Sequence, residues 1–210
     1  MKIDKNIDIY YPVHISTGLF MPKNVKIQNL HRFAELARLG EVVFHTDDLA
    51  NLWRITNKNT LYTTIKRYVE QGLLFRIHKG FYAIKRPKDI DPILLGVKAL
   101  HGYAYVSTET ILRGQGIILQ ELPATTLVST ETKRFMVAGN AFYSRKLPDT
   151  FLYNAQGITT DTTGVRRATT ERAVADLLYF NKSAYFDMSK GIDWKKVQSI
   201  QKDIGYPLTK

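Results

Sequence analysis

No cysteine occurs in the 210 residues. That excludes a disulfide scaffold, thiol catalysis and thiolate zinc sites, and it suits a reducing, cytoplasmic setting. Long apolar runs are missing as well. The best of them, residues 92–100, carries Lys98 and falls well short of the roughly 18–20 residues of a membrane span. Met1-Lys2-Ile3-Asp4-Lys5 has neither the apolar stretch nor the small-residue cleavage site of a secretory signal. Acidic residues are scarce: 19 Asp+Glu stand against 30 Lys+Arg, a net charge of +11. Such an excess points to a polyanionic partner. With 44% hydrophobic and 23% charged residues the chain is too apolar for disorder, and its length allows one large domain or two small ones.

Catalytic signatures are also wanting. His14, His31, His45, His78 and His101 are at least 14 residues apart, so no two share a helix face as zinc pairs do, and each reads as a lone histidine. Gly114-Gln115-Gly116 lacks the third glycine of a dinucleotide loop, and no phosphate-loop or nucleophile-elbow motif occurs. One pattern leaves an alternative open. Glu131-Thr132-Lys133, with Glu109 or Glu121 upstream, would suit a Mg²⁺-dependent nuclease if those carboxylates converged. A second alternative is a transcription factor whose C-terminal part senses a small ligand, which requires an enclosed pocket there. The main reading needs no metal, no cofactor and no enzymatic activity.

What is present is concentrated. Between Asn51 and Lys88 there are nine basic residues and one acid, Glu70, a net +8 within the segment. A merely solvated surface more often interleaves the signs. Local patterns place this charge on a definite succession of elements. Residues 1–24, with Pro12, Gly18 and Pro22, read as an extended arm. Ile27, Leu30, Phe33, Ala34, Leu36 and Ala37 then recur with helical spacing up to Gly40. Residues 41–44 read as a short strand. Thr46 offers an N-cap for a helix with Leu49, Ala50, Leu52 and Trp53 inward. A third helix has Leu61, Ile65, Tyr68 and Val69 as its buried stripe and Gly72 behind its end. Runs 73–77 and 81–84, around His78-Lys79-Gly80, predict a hairpin.

Helix, strand, helix, turn, helix, hairpin is the order of a winged helix-turn-helix, in which the third helix enters the major groove of DNA. Its outward face here presents Lys58, Asn59, Tyr62, Thr63 and Lys66, with Arg67 on the flank and Asn57 at the N-terminus. Asparagine bonds bidentately to adenine, lysine reaches guanine or phosphate, and threonine offers a methyl and a hydroxyl. Arg76, His78 and Lys79 of the hairpin suit phosphate oxygens. These ten residues are the candidate DNA-binding set.

Pro87 to Asp91 reads as a linker. Asp91-Pro92 then opens a helix reaching Gly102. Beyond it, strands are predicted at 103–106, 125–129, 134–137, 141–145, 150–153 and 165–168, and helices at 108–113, 170–180 and 194–204. Thr169 and Glu171 read as the cap and first-turn acid of the 170–180 helix. The fold class is therefore α+β: an arm (1–24), a winged helix (25–88) and a mixed α/β domain (91–210).

Several short motifs in this order resemble the AbiEi-like antitoxins of type IV toxin–antitoxin systems. Trp53-Arg54-Ile55 through Leu61, Gly72 through Ile77 and Lys79-Gly80-Phe81-Tyr82 are similar to the family's winged-helix half. Tyr105 through Leu112 with Gly116-Ile117-Ile118 resembles its "YxSxxSAL…GLI" stretch. Residues 168–179 resemble its "ATPERALxDLLY" helix, with Thr170 in place of proline. The resemblance spans about residues 40–180. It implies a repressor that binds operator inverted repeats in its own operon. It also implies an antitoxin against a nucleotidyltransferase-like toxin, without a required stable complex.

Overall fold

The computed structural model describes residues 27–208, with side chains from His31 onward. The expected arm at 1–24 and the side chains of Ile27 and Leu30 lie outside the described residues. The chain is α+β, with two sheets. Helix α1 (Ile27–Arg38) leads to strand β1 (Val43–His45), helix α2 (Thr46–Trp53) and helix α3 (Lys58–Glu70), then to strands β2 (Phe75–His78) and β3 (Phe81–Ala83). Strand β3 lies centrally, antiparallel to both β1 and β2.

The apolar stripes read from sequence close the first core. Phe33, Leu36, Leu49, Trp53, Leu61, Ile65 and Tyr68 are buried together with Leu73, Leu74 and Tyr82. Ala34 and Ala37, expected inward, are exposed, so α1 buries a narrower stripe than its spacing suggested. Thr46 is the first residue of α2 and His45 its cap, one position earlier than expected. Ile65 is 2% exposed. Ile65→Ala is expected to cost about 2–5 kcal/mol through lost burial and a residual cavity. A urea midpoint unchanged by that substitution would mean that Ile65 is not a core residue.

The remaining elements are α4 (Pro92–Ala99), β4 (Ala104–Val106), α5 (Glu109–Gly114), β5 (Thr125–Ser129), β6 (Lys133–Val137), β7 (Asn140–Lys146), α6 (Asp149–Leu152), β8 (Ile158–Thr160), β9 (Arg166–Ala168), α7 (Thr170–Phe180) and α8 (Trp194–Ile204). The six strands order as β6-β7-β5-β4-β9-β8. Pairs β5–β7 and β4–β9 are parallel and the rest antiparallel. Strand alternation divides the two faces. Tyr105 and Val128 join the core under α5, α7 and α8, whereas Ala104, Val106, Leu127 and Phe142 join the one under α4. Helix α4 lies so close to the sheet that a Cβ on Gly96 would sit 2.1 Å from the Phe142 ring.

Three expectations are corrected. Residues 150–153 are not a strand: Asp149–Leu152 form one helical turn after Pro148, whose carbonyl accepts from the N–H groups of Phe151 and Leu152. Helix α4 stops at Ala99, because His101 takes a left-handed φ of 49° before reaching Gly102. The stretch from Pro87 is no open linker. It makes a 3₁₀ turn at Pro87–Asp89, and Ile90, 6% exposed, enters the same core as Val43, Phe81 and Leu94. An apolar side chain at 90 thus ties the small sheet to α4. Strand β8 was not foreseen.

Candidate nucleic-acid interface

Helix α3 begins where Asn57 accepts a hydrogen bond from the Thr60 N–H at 3.1 Å. Asn57 is therefore the N-cap, satisfying one of the orphan donors of the first turn. The helix ends at Glu70 with Gln71 as its C-cap, and Gly72 follows with φ +69°, a conformation that glycine adopts without strain. Inside, Trp53 tilts against Tyr68 with ring centroids 5.0 Å apart, and its indole N–H donates to the Arg32 carbonyl at 3.4 Å. These contacts fix the rotation of α3 about its axis.

That rotation leaves Lys58, Asn59, Tyr62, Thr63, Lys66 and Arg67 exposed, with Leu61, Ile65 and Tyr68 turned in. Tyr62 is 53% exposed, a large ring presented to solvent. Lys66 has Glu70 one turn on at 3.7 Å, an exposed pair of little strength. In β2 the alternation continues: Phe75 and Ile77 turn toward the protein, while Arg76 and His78 are exposed. Lys79 is exposed at the turn, where Gly80 takes φ +82°. All ten candidate residues are at the surface, on α3 with its cap and on the hairpin.

The hairpin tip is anchored in a way the sequence did not disclose. Thr46 N–H donates to the Gly80 carbonyl at 3.0 Å. The His45 ring stacks on Phe81 at 4.6 Å and on His101 at 3.9 Å, and His78 lies 5.1 Å from Phe81. Three histidines expected to stand alone are thus brought together: His45 and His78 against the Phe81 ring, and His101 against His45. Burial lowers the pKa of His45, as do the nearby His101 and His78, against the opposing pull of the Lys98 carbonyl and Asp48. Two stacked imidazoles keep their nitrogens from converging. Among the described residues no group of three or more histidines and carboxylates could hold a metal.

The acids of the nuclease alternative are each taken up by a different cation. Glu131 pairs with Lys133 at 3.6 Å, Glu109 with Arg145, and Glu121 with Arg113. A surface groove of about 610 Å³ in the second half is lined by Thr110, Arg113, Leu119, Leu122 and Asn140 among others. It is not the enclosed pocket that a ligand sensor requires.

Sequence reasoning also missed a buried ionic network. Arg172 and Asp176, on successive turns of α7, are both 0% exposed and paired at 2.9 Å. Arg172 also donates to the Asn154 and Gln156 carbonyls and to the Tyr105 hydroxyl. Asp176 accepts from Tyr105, Ser107 and Tyr206 at 3.0, 2.7 and 2.8 Å. Burial and the Asp176 charge push both phenols up, so they stay protonated and donate. The usable signal was the composition of α7. Ala173, Val174, Ala175, Leu177 and Leu178 are apolar all round the helix, which leaves a charged i, i+4 pair no exposed side.

No family model matches the chain, and no curated protein does. Among solved structures it is similar to the crystal structure of RV2827C protein from Mycobacterium tuberculosis, with a TM-score of 0.52 and 13% identity, covering 90% of this chain and 75% of that one. A likeness at 13% identity concerns the fold alone.

Proposed function

We propose that this chain is a DNA-binding transcriptional repressor rather than an enzyme. Residues 25–88 act as a winged helix-turn-helix, α3 enters the major groove, and the β2–β3 hairpin is the wing. One observation carries the reading: six polar and basic side chains stand exposed along α3, opposite a face locked by Leu61, Ile65 and Tyr68. A helix with one face fixed in the core and the other free has the rigidity that reading base edges demands. Arg76, His78 and Lys79 supply the backbone contacts that set register. The resemblance to AbiEi-like antitoxins extends the proposal: residues 91–210 oppose a nucleotidyltransferase-like toxin, and the operator is an inverted repeat in the shared operon.

Electrostatics provide a test. Each phosphate neutralised by Lys or Arg releases condensed counterion, so the affinity for duplex DNA is expected to fall steeply with salt, with a slope of about −0.9 per contacted phosphate. Fluorescence anisotropy across a salt series measures that slope. A binding constant nearly independent of salt would contradict the role given to the +8 segment.

A further inference from the structure

Strand β6 forms one edge of the six-stranded sheet. It joins β7 through Ala138-Gly139, with φ values of +48° and +83°, the positive pair of a two-residue hairpin turn. In such a hairpin the flanking residues, Val137 and Asn140, form a hydrogen-bonded pair. Phe135 and Lys133 follow in the same phase and bond toward β7. The N–H and C=O groups of Arg134 and Met136 therefore point away from the sheet, and among the described residues no backbone hydrogen bond reaches them.

The side chains of this edge are divided between its faces. Phe135 and Val137 join the core under α4. Arg134 and Met136 lie on the other face, beside Tyr143 and Ala141. Met136 is 68% exposed, and next to its partner Ala141 the 610 Å³ groove continues along Ala124, Pro123, Leu122 and Leu119, the last 65% exposed. The Arg134 guanidinium lies 4.5 Å over the Tyr143 ring and, among the described residues, has no carboxylate partner.

We propose that this edge receives an extended, acidic segment of a partner protein as an added strand. Open N–H and C=O groups supply the pairing, Met136 and the groove the apolar contact, and Arg134, the cation of this edge with no carboxylate partner among the described residues, the selection for acid. A second copy is disfavoured at the same edge, because self-pairing would bring two Arg134 guanidinium groups, neither with a carboxylate partner among the described residues, onto one short ladder. The proposal does not rest on the DNA-binding reading.

The test uses the full chain and fluorescently labelled nine-residue peptides: alternating Glu and Val, alternating Lys and Val, and alternating Glu and Pro. The Glu–Val peptide is expected to bind at least about tenfold more tightly than either other peptide, and Met136→Pro to weaken it by about tenfold or more. Proline is tolerated where an edge N–H faces solvent, so the fold is retained. Arg134→Glu, an exposed change, is expected to abolish the preference for the acidic peptide. Equal binding of Glu–Val and Glu–Pro would reduce the site to bare charge and overturn the proposal. So would no binding of the Glu–Val peptide, full binding by both variants, or a β6-dependent dimer in sedimentation. A loss of duplex DNA affinity in Arg134→Glu, with peptide binding unchanged, would assign the edge to nucleic acid instead.

Discussion

Asp176→Ala is expected to destabilise the chain by about 3–5 kcal/mol, the usual result of stranding one member of a buried ion pair. The size follows from the surroundings. Arg172 is 0% exposed, and water cannot replace the lost carboxylate. The two carbonyls and one hydroxyl left to its guanidinium accept hydrogen bonds but carry no counter-charge. Tyr105, Ser107 and Tyr206 would lose their acceptor at the same time. Gly157 closes the site from above: it has φ +72°, and a Cβ there would lie 2.7 Å from that of Arg172, so the cavity does not relax freely. Replacing both partners together, as Arg172→Met with Asp176→Leu, is expected to cost clearly less than Asp176→Ala alone, because no charge is then left unpaired. Urea denaturation of the wild type and the two variants checks this. A loss below about 1 kcal/mol for Asp176→Ala, the range of exposed pairs, would show that the network is solvated in solution.

Legibility from sequence followed the range of the interactions. The α3 stripe was readable because Leu61, Ile65 and Tyr68 repeat within one helix, and the exposed face followed from it. Helices α7 and α8 were placed correctly to the residue, since Thr169 and Asp193 are caps that act over three positions. The hairpin was readable from Gly80, although the strands are shorter than the apolar runs. Leu73 and Leu74 look like strand residues but serve as a lid on the first core. What failed depended on distant partners. Tyr105 and Asp176 are 71 positions apart, and no local pattern marks their hydrogen bond. His45 and His101 meet only because α4 returns the chain to the small sheet. At 150–153, Phe151 and Leu152 suggested a strand, whereas Pro148 and Asp149 impose a helical turn.

The central claim is that α3 reads bases while the hairpin holds phosphates, and two substitutions separate those roles. Asn59 and Thr63 are exposed one turn apart on α3, and Lys79 sits at the turn of the hairpin. The measurement is the affinity of wild type, Asn59→Ala and Lys79→Ala for two duplexes across a salt series. One duplex is the sequence that the protein selects from a random pool, the other an unselected duplex of equal length. Asn59→Ala is expected to lose about 1–3 kcal/mol of discrimination, with affinity falling mainly for the selected duplex. Lys79→Ala is expected to weaken both duplexes alike and to reduce the salt slope by about one. The contradicting result is the reverse: Asn59→Ala neutral on the selected duplex and Lys79→Ala erasing the preference. That outcome would move base readout to the hairpin and leave α3 as a support.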